Sequence, residues 1–122
     1  MLTSRRTFSG FSANDISAEK VFYRETLGLT VHEEMGGLDL ELPGGQRVFI
    51  YPKPDHQPAT FTILNFEVPD IDAAVDELTS AGVRLERYDG MDQDARGVMR
   101  DNGPPIAWFK DPAGNILSII QR

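Results

Sequence analysis

Residues 106–120 read Ile-Ala-Trp-Phe-Lys-Asp-Pro-Ala-Gly-Asn-Ile-Leu-Ser-Ile-Ile, with an apolar run on each side of a short polar segment. Aspartate suits the first position of a β-turn, proline presets the second, and glycine adopts the positive φ that closes a hairpin with a bulge. The stretch therefore predicts a β-hairpin that forms the last piece of a sheet. If that sheet lines a cleft, we expect Ser118, near the middle of the final strand, to face it.

The composition is that of a globular protein of one domain's length. The chain has 122 residues, of which 40% are hydrophobic and 25% charged, and it has no cysteine. Disulfides, thiolate nucleophiles and cysteine-ligated metals are therefore excluded. No apolar run is long enough to span a bilayer, and the N-terminus lacks the apolar block of a secretory signal. We expect a single domain, residues 1–122, in the cytoplasm, with no membrane partner.

The net charge of −7, from 19 acidic and 12 basic residues, limits the kinds of partner. A negative potential repels phosphate backbones and anionic surfaces, so we expect no nucleic-acid partner. A cationic or neutral small molecule is easier to accommodate. The alternative is that the acidity only keeps the protein in solution.

The first half of the chain is predicted to form one strand, one helix and three further strands, between about residues 6 and 51. An N-cap precedes the helix, and Gly28 follows it at the position where helices commonly end. Proline-rich residues 52–59 then form a linker. The predicted elements are a strand at 7–13, a helix at 17–27, and strands at 30–34, 38–42 and 47–51.

The second half, about residues 60–121, repeats this order. Asp70-Ile71 begins its helix as Asp15-Ile16 begins the first, 55 residues earlier, and Gly82 ends it. Neither half has two layers of its own, so we expect an α+β fold in which two βαβββ modules pack on each other. The predicted elements are a strand at 61–68, a helix at 70–81, a strand at 83–88, a long mobile connection at 89–105 with a short strand near 98–100, and the closing hairpin.

Three stretches carry a resemblance to the vicinal oxygen chelate superfamily, also called the glyoxalase, bleomycin-resistance and extradiol-dioxygenase superfamily. They are residues 15–29, which contain Phe-Tyr and Leu-Gly-Leu, residues 65–74, and the Asp-Pro-Ala-Gly-Asn segment at 111–115. The resemblance runs from residue 8 to residue 120. It implies two modules whose sheets curl around a cleft, usually in a homodimer, with the cleft inside one chain or between two.

Metal-dependent members of this family carry His, Glu, His and Glu in the cleft, where they hold a divalent ion that polarises a substrate oxygen. Counting from the family motifs, these positions fall here on Phe8, Ile50, Ile63 and Ser118, with Ile50 uncertain by one residue. Phenylalanine and isoleucine cannot ligate a metal, and a lone serine hydroxyl is a poor substitute. We therefore expect no metal and no cofactor.

Other catalytic groups are sparse. His32 and His56 lie in a polar strand and in the linker, without metal spacing, and are expected to be solvated. With no histidine expected beside a cleft serine, nucleophilic catalysis is not predicted. Glu67, on the same side of its strand as Ile63, is the candidate for a general base, against the simpler expectation that it lies in water. Asn65 is a candidate for a hydrogen bond to a ligand.

The resemblance directs Trp108 and Ile106 toward the substrate pocket. With apolar residues at the former ligand positions, this implies an apolar cleft with an aromatic wall. An indole stacks on flat ligands or holds a cation over its face, although a core or dimer-interface tryptophan is the alternative. Tyr88, Met91 and Met99 border the long connection and either help to close the cleft or only pack.

Three hypotheses for function follow. The first is a member of the family without metal ligands that binds a small apolar, aromatic or cationic ligand, as the bleomycin-resistance branch sequesters cationic drugs without chemistry. The second is a glyoxalase-like lyase, isomerase or dioxygenase that uses Glu67 as a base or unconventional metal ligands. The third is a degenerate cleft, filled by its own side chains, in a structural dimer.

Overall fold

Seven β-strands and two α-helices form in the computed structural model, which describes residues 1–122. They are divided between a first unit, Met1–Gln57, and a second unit, Pro58–Arg122. The mixed α+β class is confirmed, with a four-stranded and a three-stranded sheet. Neither helix has the length and apolar character that a membrane crossing requires.

The first unit follows the predicted order of elements closely. The elements are β1 (Ser9–Ala13), α1 (Ile16–Val21), the π-helical segment (Phe22–Thr26), β2 (Thr30–Glu34), β3 (Gly37–Glu41) and β4 (Arg47–Pro52). The helix is shorter than predicted as an α-helix, because its second half is wound as a π-helix. The sheet has the strand order β1-β4-β3-β2, with β1 parallel to β4 and the other neighbours antiparallel.

The core of the first unit lies between the helix and one face of this sheet. The side chain of Asp15 caps α1 by accepting a hydrogen bond from the backbone N–H of Ala18 at 3.1 Å. Tyr23, in the π-helical segment, is fully buried, and its ring centroid lies 6.3 Å from that of Phe11 on β1. Fully buried Leu38 and Leu40 of β3 belong to the same core.

The elements of the second unit are β5 (Thr62–Val68), α2 (Ile71–Ser80), β6 (Ile106–Lys110) and β7 (Ile116–Gln121). The strand order is β5-β7-β6, with β5 parallel to β7 and β6 antiparallel to β7. One face of the helix is buried, at Ile71, Ala74, Val75 and Leu78, as its apolar stripe predicts.

The predicted strand at residues 83–88 is wrong, because this segment joins no sheet. It makes one backbone hydrogen bond to β6, from Glu86 N–H to Trp108 C=O at 2.8 Å. The C=O of Glu86 and the N–H of Tyr88 are bonded to the side chain of Gln93 instead of to a strand. The short strand expected near residues 98–100 is reduced to Met99, which forms isolated bridges to Gln93 and Ile106.

The connection at residues 89–105 is organised by charged side chains. Arg100 donates to Asp72 of α2 at 2.7 Å and to Asp94 of the connection at 3.0 Å. Arg96 forms ion pairs with Asp72 and Asp76. The segment that the sequence predicts to be mobile is thus tied to α2 by two arginines.

The closing hairpin is confirmed, and a buried carboxylate holds its turn. Asp111 is 4% exposed, and its Oδ1 accepts hydrogen bonds from the N–H groups of Ala113 and Asn115 at 3.0 and 2.9 Å. Its Oδ2 accepts from the side-chain amide of Asn115 at 2.9 Å. Gly114 has φ +86° and donates to Asp111 C=O, which closes the turn as predicted.

Replacing Asp111 by alanine removes an acceptor that three donors of a partly buried turn share. We expect Asp111→Ala to lower the free energy of unfolding by about 3 kcal/mol, because a single buried unsatisfied group costs about 1–3 kcal/mol. Urea denaturation measures this change. Asp101→Ala, at an exposed aspartate, is the control and should stay within about 0.5 kcal/mol of the original chain. Equal effects at the two positions would contradict the assigned role of Asp111.

Candidate functional site

A cavity of about 270 Å³ lies in the second unit. Aromatic, threonine, methionine and isoleucine side chains form its wall, and none of the lining residues is charged. This composition is typical of a binding site for an apolar or aromatic molecule. The lining residues are Thr60, Phe61, Thr62, Tyr88, Met91, Trp108 and Ile116.

Trp108 is fixed in this wall by the strand that carries it and by one hydrogen bond. It lies in the middle of β6, directly opposite Ser118 of β7. Its indole Nε1 donates to the hydroxyl of Thr62 at 3.1 Å, and the residue is 8% exposed. A buried indole N–H needs such a partner, so Thr62 fixes the orientation of the ring.

A bulge in β5 explains why Thr62 reaches the cavity. The register of β5 against β7 shifts between Thr62, opposite Ile116, and Leu64, opposite Leu117, so that Ile63 is an extra residue. Ile63, which the family resemblance points toward the cleft, is half-buried and does not line the cavity. The alternation used to predict its direction is interrupted at this residue.

Tyr88 and Met91 supply another part of the wall. The ring of Tyr88 meets the indole of Trp108 edge-on, with centroids 5.7 Å apart and planes at 82°. Burial, together with the nearby carboxylate of Glu86, raises the pKa of the Tyr88 hydroxyl above its ordinary value of 10. The hydroxyl is therefore neutral at physiological pH, and its buried oxygen has no hydrogen-bond partner.

Ser118 lies in the same cross-strand row as Trp108. It is fully buried, and its hydroxyl donates to Oδ1 of Asn65 at 2.5 Å. Asn65 is exposed and stands opposite Ser118 in the register of β5 and β7. Asn65, Ser118 and Trp108, which the sequence points to the site, are thus neighbours across the sheet, but only Trp108 lines the cavity.

Two further candidates lie apart from the cavity wall. Glu67 is exposed, and it forms an ion pair with Arg122 at 2.9 Å in which both side chains are 58% exposed. Ile106, at the start of β6, is half-buried opposite Ile120. Since solvent surrounds the Glu67 carboxylate, the burial that would turn it into a general base is absent.

The first unit contains a smaller cavity, of about 130 Å³. Phe8, which is 55% exposed, and Phe49 contribute to its wall. Ile50 does not, because its fully buried side chain lies in the core, opposite Phe11 and Leu38. The sequence-based position on this strand was uncertain by one residue, and Phe49 is the neighbour that shares a cavity with Phe8. The lining residues are Arg6, Phe8, Glu34, Met35, Asp39, Arg47 and Phe49.

Ion pairs dominate the polar side of this smaller cavity. Arg47 binds Asp39 through two guanidinium nitrogens and donates to Glu41 at 3.0 Å. The hydrogen bonds from Arg47 are the largest cause that lowers the pKa of Asp39 below its ordinary 3.8. Arg6 lies over the ring of Phe8, 5.7 Å from its centroid. The charges of Arg47 and Asp39 thus already have partners within the protein.

The side chains present do not fit a divalent metal ion. No three His, Asp or Glu residues lie close enough together to hold one. Three of the four positions that the family resemblance marks carry Phe8, Ile50 and Ile63, which offer no donor atom. The fourth, Ser118, already donates its hydroxyl hydrogen to Asn65.

The two histidines differ in exposure, and only His56 departs from the expectation that both are solvated. His56 is half-buried, and its Nδ1 lies 2.6 Å from the hydroxyl of Ser12 at the end of β1. His32 is exposed but pairs with Glu41 at 3.1 Å. The Ser12–His56 distance is that of a nucleophile and its base, but neither residue lines either cavity. The bond therefore fastens the linker to β1.

Several wall residues could not have been found from the sequence. Phe61 precedes β5 and is 67% exposed, so its only signal is an aromatic residue at a strand start. Because of the bulge, Thr62 and not Ile63 lines the cavity, and no feature of the sequence indicates the bulge. Ile116 begins the final strand, where the sequence predicts only an apolar residue of the hairpin.

Comparison with known proteins identifies relatives of this architecture. The sequence model of the Glyoxalase/Bleomycin resistance protein/Dioxygenase superfamily matches residues 9–119. No curated protein matches the chain.

Solved structures similar to this chain include the fosfomycin resistance protein FosX from Listeria monocytogenes, with a TM-score of 0.74, 10% identity, and coverage of 99% of this chain and 95% of that one. A glyoxalase family protein from Enterococcus faecalis has a TM-score of 0.68 and 23% identity, with coverage of 98% and 99%. TnmS3, an antibiotic binding protein from Streptomyces sp. CB03234, has a TM-score of 0.66 and 21% identity, with 98% of both chains covered. At these identities the likeness shows a shared fold.

The Asp39–Arg47 pair predicts a dependence of stability on acid. Because the pKa of Asp39 is lowered in the folded chain, its contribution is complete above its ordinary value of 3.8. That contribution is lost as the pH falls through the lowered pKa. We expect Asp39→Asn to lower the stability at pH 7 and to flatten its decline below about pH 4. Urea midpoints between pH 7 and pH 2.5 measure this, with exposed Asp92→Asn as the control. An unchanged acid decline would refute the assignment.

Proposed function

The chain belongs to the glyoxalase/bleomycin resistance protein/dioxygenase superfamily, and from that premise we propose that it binds a small aromatic molecule, neutral or cationic, in the cavity of its second unit. The observation that carries the proposal is the wall of this cavity. Three aromatic side chains, Phe61, Tyr88 and Trp108, line it together with uncharged neighbours. Aromatic rings of this kind bind flat ligands by stacking and cations over their faces.

The charge of the wall and of the chain sets the class of ligand. An anion entering this cavity meets no cationic side chain, and it approaches a chain of net charge −7. A neutral aromatic molecule gains from burial of apolar surface alone. A cation gains in addition from the ring faces and from the surrounding negative potential. The proposal therefore excludes carboxylates, sulfonates and phosphates as preferred ligands.

Binding without chemistry is favoured by what the polar groups of the site do. The hydroxyl of Ser118 donates to Asn65, and the indole N–H of Trp108 donates to Thr62. The carboxylate of Glu67 is exposed and paired with Arg122. None of these groups is arranged as an acid or a base toward the cavity. TnmS3 is an antibiotic binding protein of the same fold, which supports a binding function for this chain.

The assembly of the chain and its cellular location are predicted from the family resemblance and from the composition. We propose that the chain works as a homodimer in the cytoplasm. Light scattering measures the assembly, and a mass of twice the 13.6 kDa chain is the expected result.

Trp108 is the only tryptophan of the chain, so its emission reports on the cavity directly. N-phenyl-1-naphthylamine and 8-anilinonaphthalene-1-sulfonate share one aromatic skeleton and differ by a sulfonate. We expect the neutral amine to quench Trp108 emission saturably and to raise the melting temperature, and the sulfonate to bind more weakly. Equal or tighter binding of the sulfonate would contradict the proposed ligand class.

Phe61→Ala separates this cavity from other apolar surfaces. We expect it to weaken binding of N-phenyl-1-naphthylamine by about tenfold, the equivalent of about 1.4 kcal/mol, because an aromatic contact is lost. The matched control is Phe8→Ala, which removes another exposed phenylalanine, in the first unit. Affinities that fall equally in both variants would place the dye outside the proposed site.

A further inference from the structure

We propose that Gln93 is a positioning residue for this cavity: its side chain holds Tyr88 and Met91 in place as a preformed wall. Gln93 does not line the cavity. It acts through the backbone of the segment at residues 86–97. The predicted effect on ligand affinity rests on the function proposed above, whereas the predicted effect on the wall does not.

The side-chain amide of Gln93 forms hydrogen bonds with three backbone groups. Its Oε1 accepts from Tyr88 N–H at 2.8 Å. Its Nε2 donates to Glu86 C=O at 3.0 Å and to Gly97 C=O at 2.8 Å. A primary amide has two N–H donors, so both are occupied. One side chain thus joins the backbone at Glu86 and Tyr88 to the backbone at Gly97.

These bonds determine where Tyr88 and Met91 lie. Two tight turns follow Tyr88, closed by hydrogen bonds from Met91 N–H to Tyr88 C=O at 3.2 Å and from Gln93 N–H to Met91 C=O at 3.1 Å. The Gln93 amide returns to Tyr88 N–H and closes this small loop. The loop is also held at Glu86, which is bonded to Trp108 C=O of β6. The ring of Tyr88 is therefore kept against the indole of Trp108.

The chemistry of the position requires glutamine. Glutamate has the same length but no N–H donors, and its charge would face the carbonyl oxygens of Glu86 and Gly97. Alanine leaves Tyr88 N–H and both carbonyls without their partner. The same bonds oppose a strand at the end of residues 83–88, since the C=O of Glu86 and the N–H of Tyr88, which a β-ladder would pair, are taken by the Gln93 amide.

A preformed wall lowers the cost of binding, because the side chains are ordered before the ligand arrives. If Gln93 is removed, ordering of Tyr88 and Met91 must accompany binding. The affinity should then fall although no contact to the ligand has been deleted. The cover over Trp108 should also loosen in the unliganded protein.

The experiment compares Gln93→Ala and Gln93→Glu with Arg96→Ala in the full chain. Arg96 anchors the same connection to α2 through Asp72 and Asp76, away from the cavity wall. The first readout needs no ligand: acrylamide quenching of the single tryptophan, with amide hydrogen exchange of Tyr88 by NMR. The second is the affinity for N-phenyl-1-naphthylamine, measured well below each melting temperature.

We expect both Gln93 variants to raise the acrylamide quenching constant at least about twofold, to accelerate exchange at Tyr88 N–H, and to weaken dye binding about fivefold or more. Arg96→Ala should lower the melting temperature without these changes. The proposal is overturned if Gln93→Ala and Gln93→Glu leave quenching and exchange as they are, or alter them no more than Arg96→Ala. Should the dye fail to bind the original chain, the proposed function fails, and quenching still decides the role of Gln93.

Discussion

The carboxylate of Asp111 sets the register of the hairpin from which the cavity is built. By accepting from two backbone N–H groups and one side-chain amide, it fixes the five-residue turn between β6 and β7. A slip of one residue in a hairpin moves every side chain to the opposite face of the sheet. The contact of Trp108 with Thr62, and the position of Ser118 beside Asn65, both depend on the register that this buried group imposes.

Features that rest on local chemistry could be predicted from the sequence. Capping aspartates, terminal glycines and the Asp-Pro-Ala-Gly-Asn turn identify both helices and the last hairpin, because each acts within a few residues. The side chain of Gln93 acts over longer range. It binds the backbone of Glu86 and Tyr88 within the expected strand at residues 83–88, and nothing in the local pattern indicates that a glutamine several positions later will do so.

The candidate site was predictable to a similar extent. Trp108, Ser118 and Asn65 lie in one row because alternation holds along β6, β7 and the end of β5. Ile50 departs from the pattern, since the position counted from the motifs was uncertain by one residue and the neighbouring side chains of a strand face opposite ways. The acidic composition predicts the placement of charged side chains only in part. Many of them form ion pairs on the surface, and none lines the larger cavity.

The bulge at Ile63 interrupts the alternation of side chains between the two faces of β5. Thr62 and Asn65 lie on the same face of the sheet although they are three residues apart. In a regular strand, residues on the same face are two apart. A residue-by-residue comparison with a relative whose strand is regular therefore matches one end correctly and shifts the other. Residues of this chain that correspond to a relative's binding residues must therefore be identified from their position in space, by which side chain contacts Trp108. A sequence alignment would select Ile63 in place of Thr62.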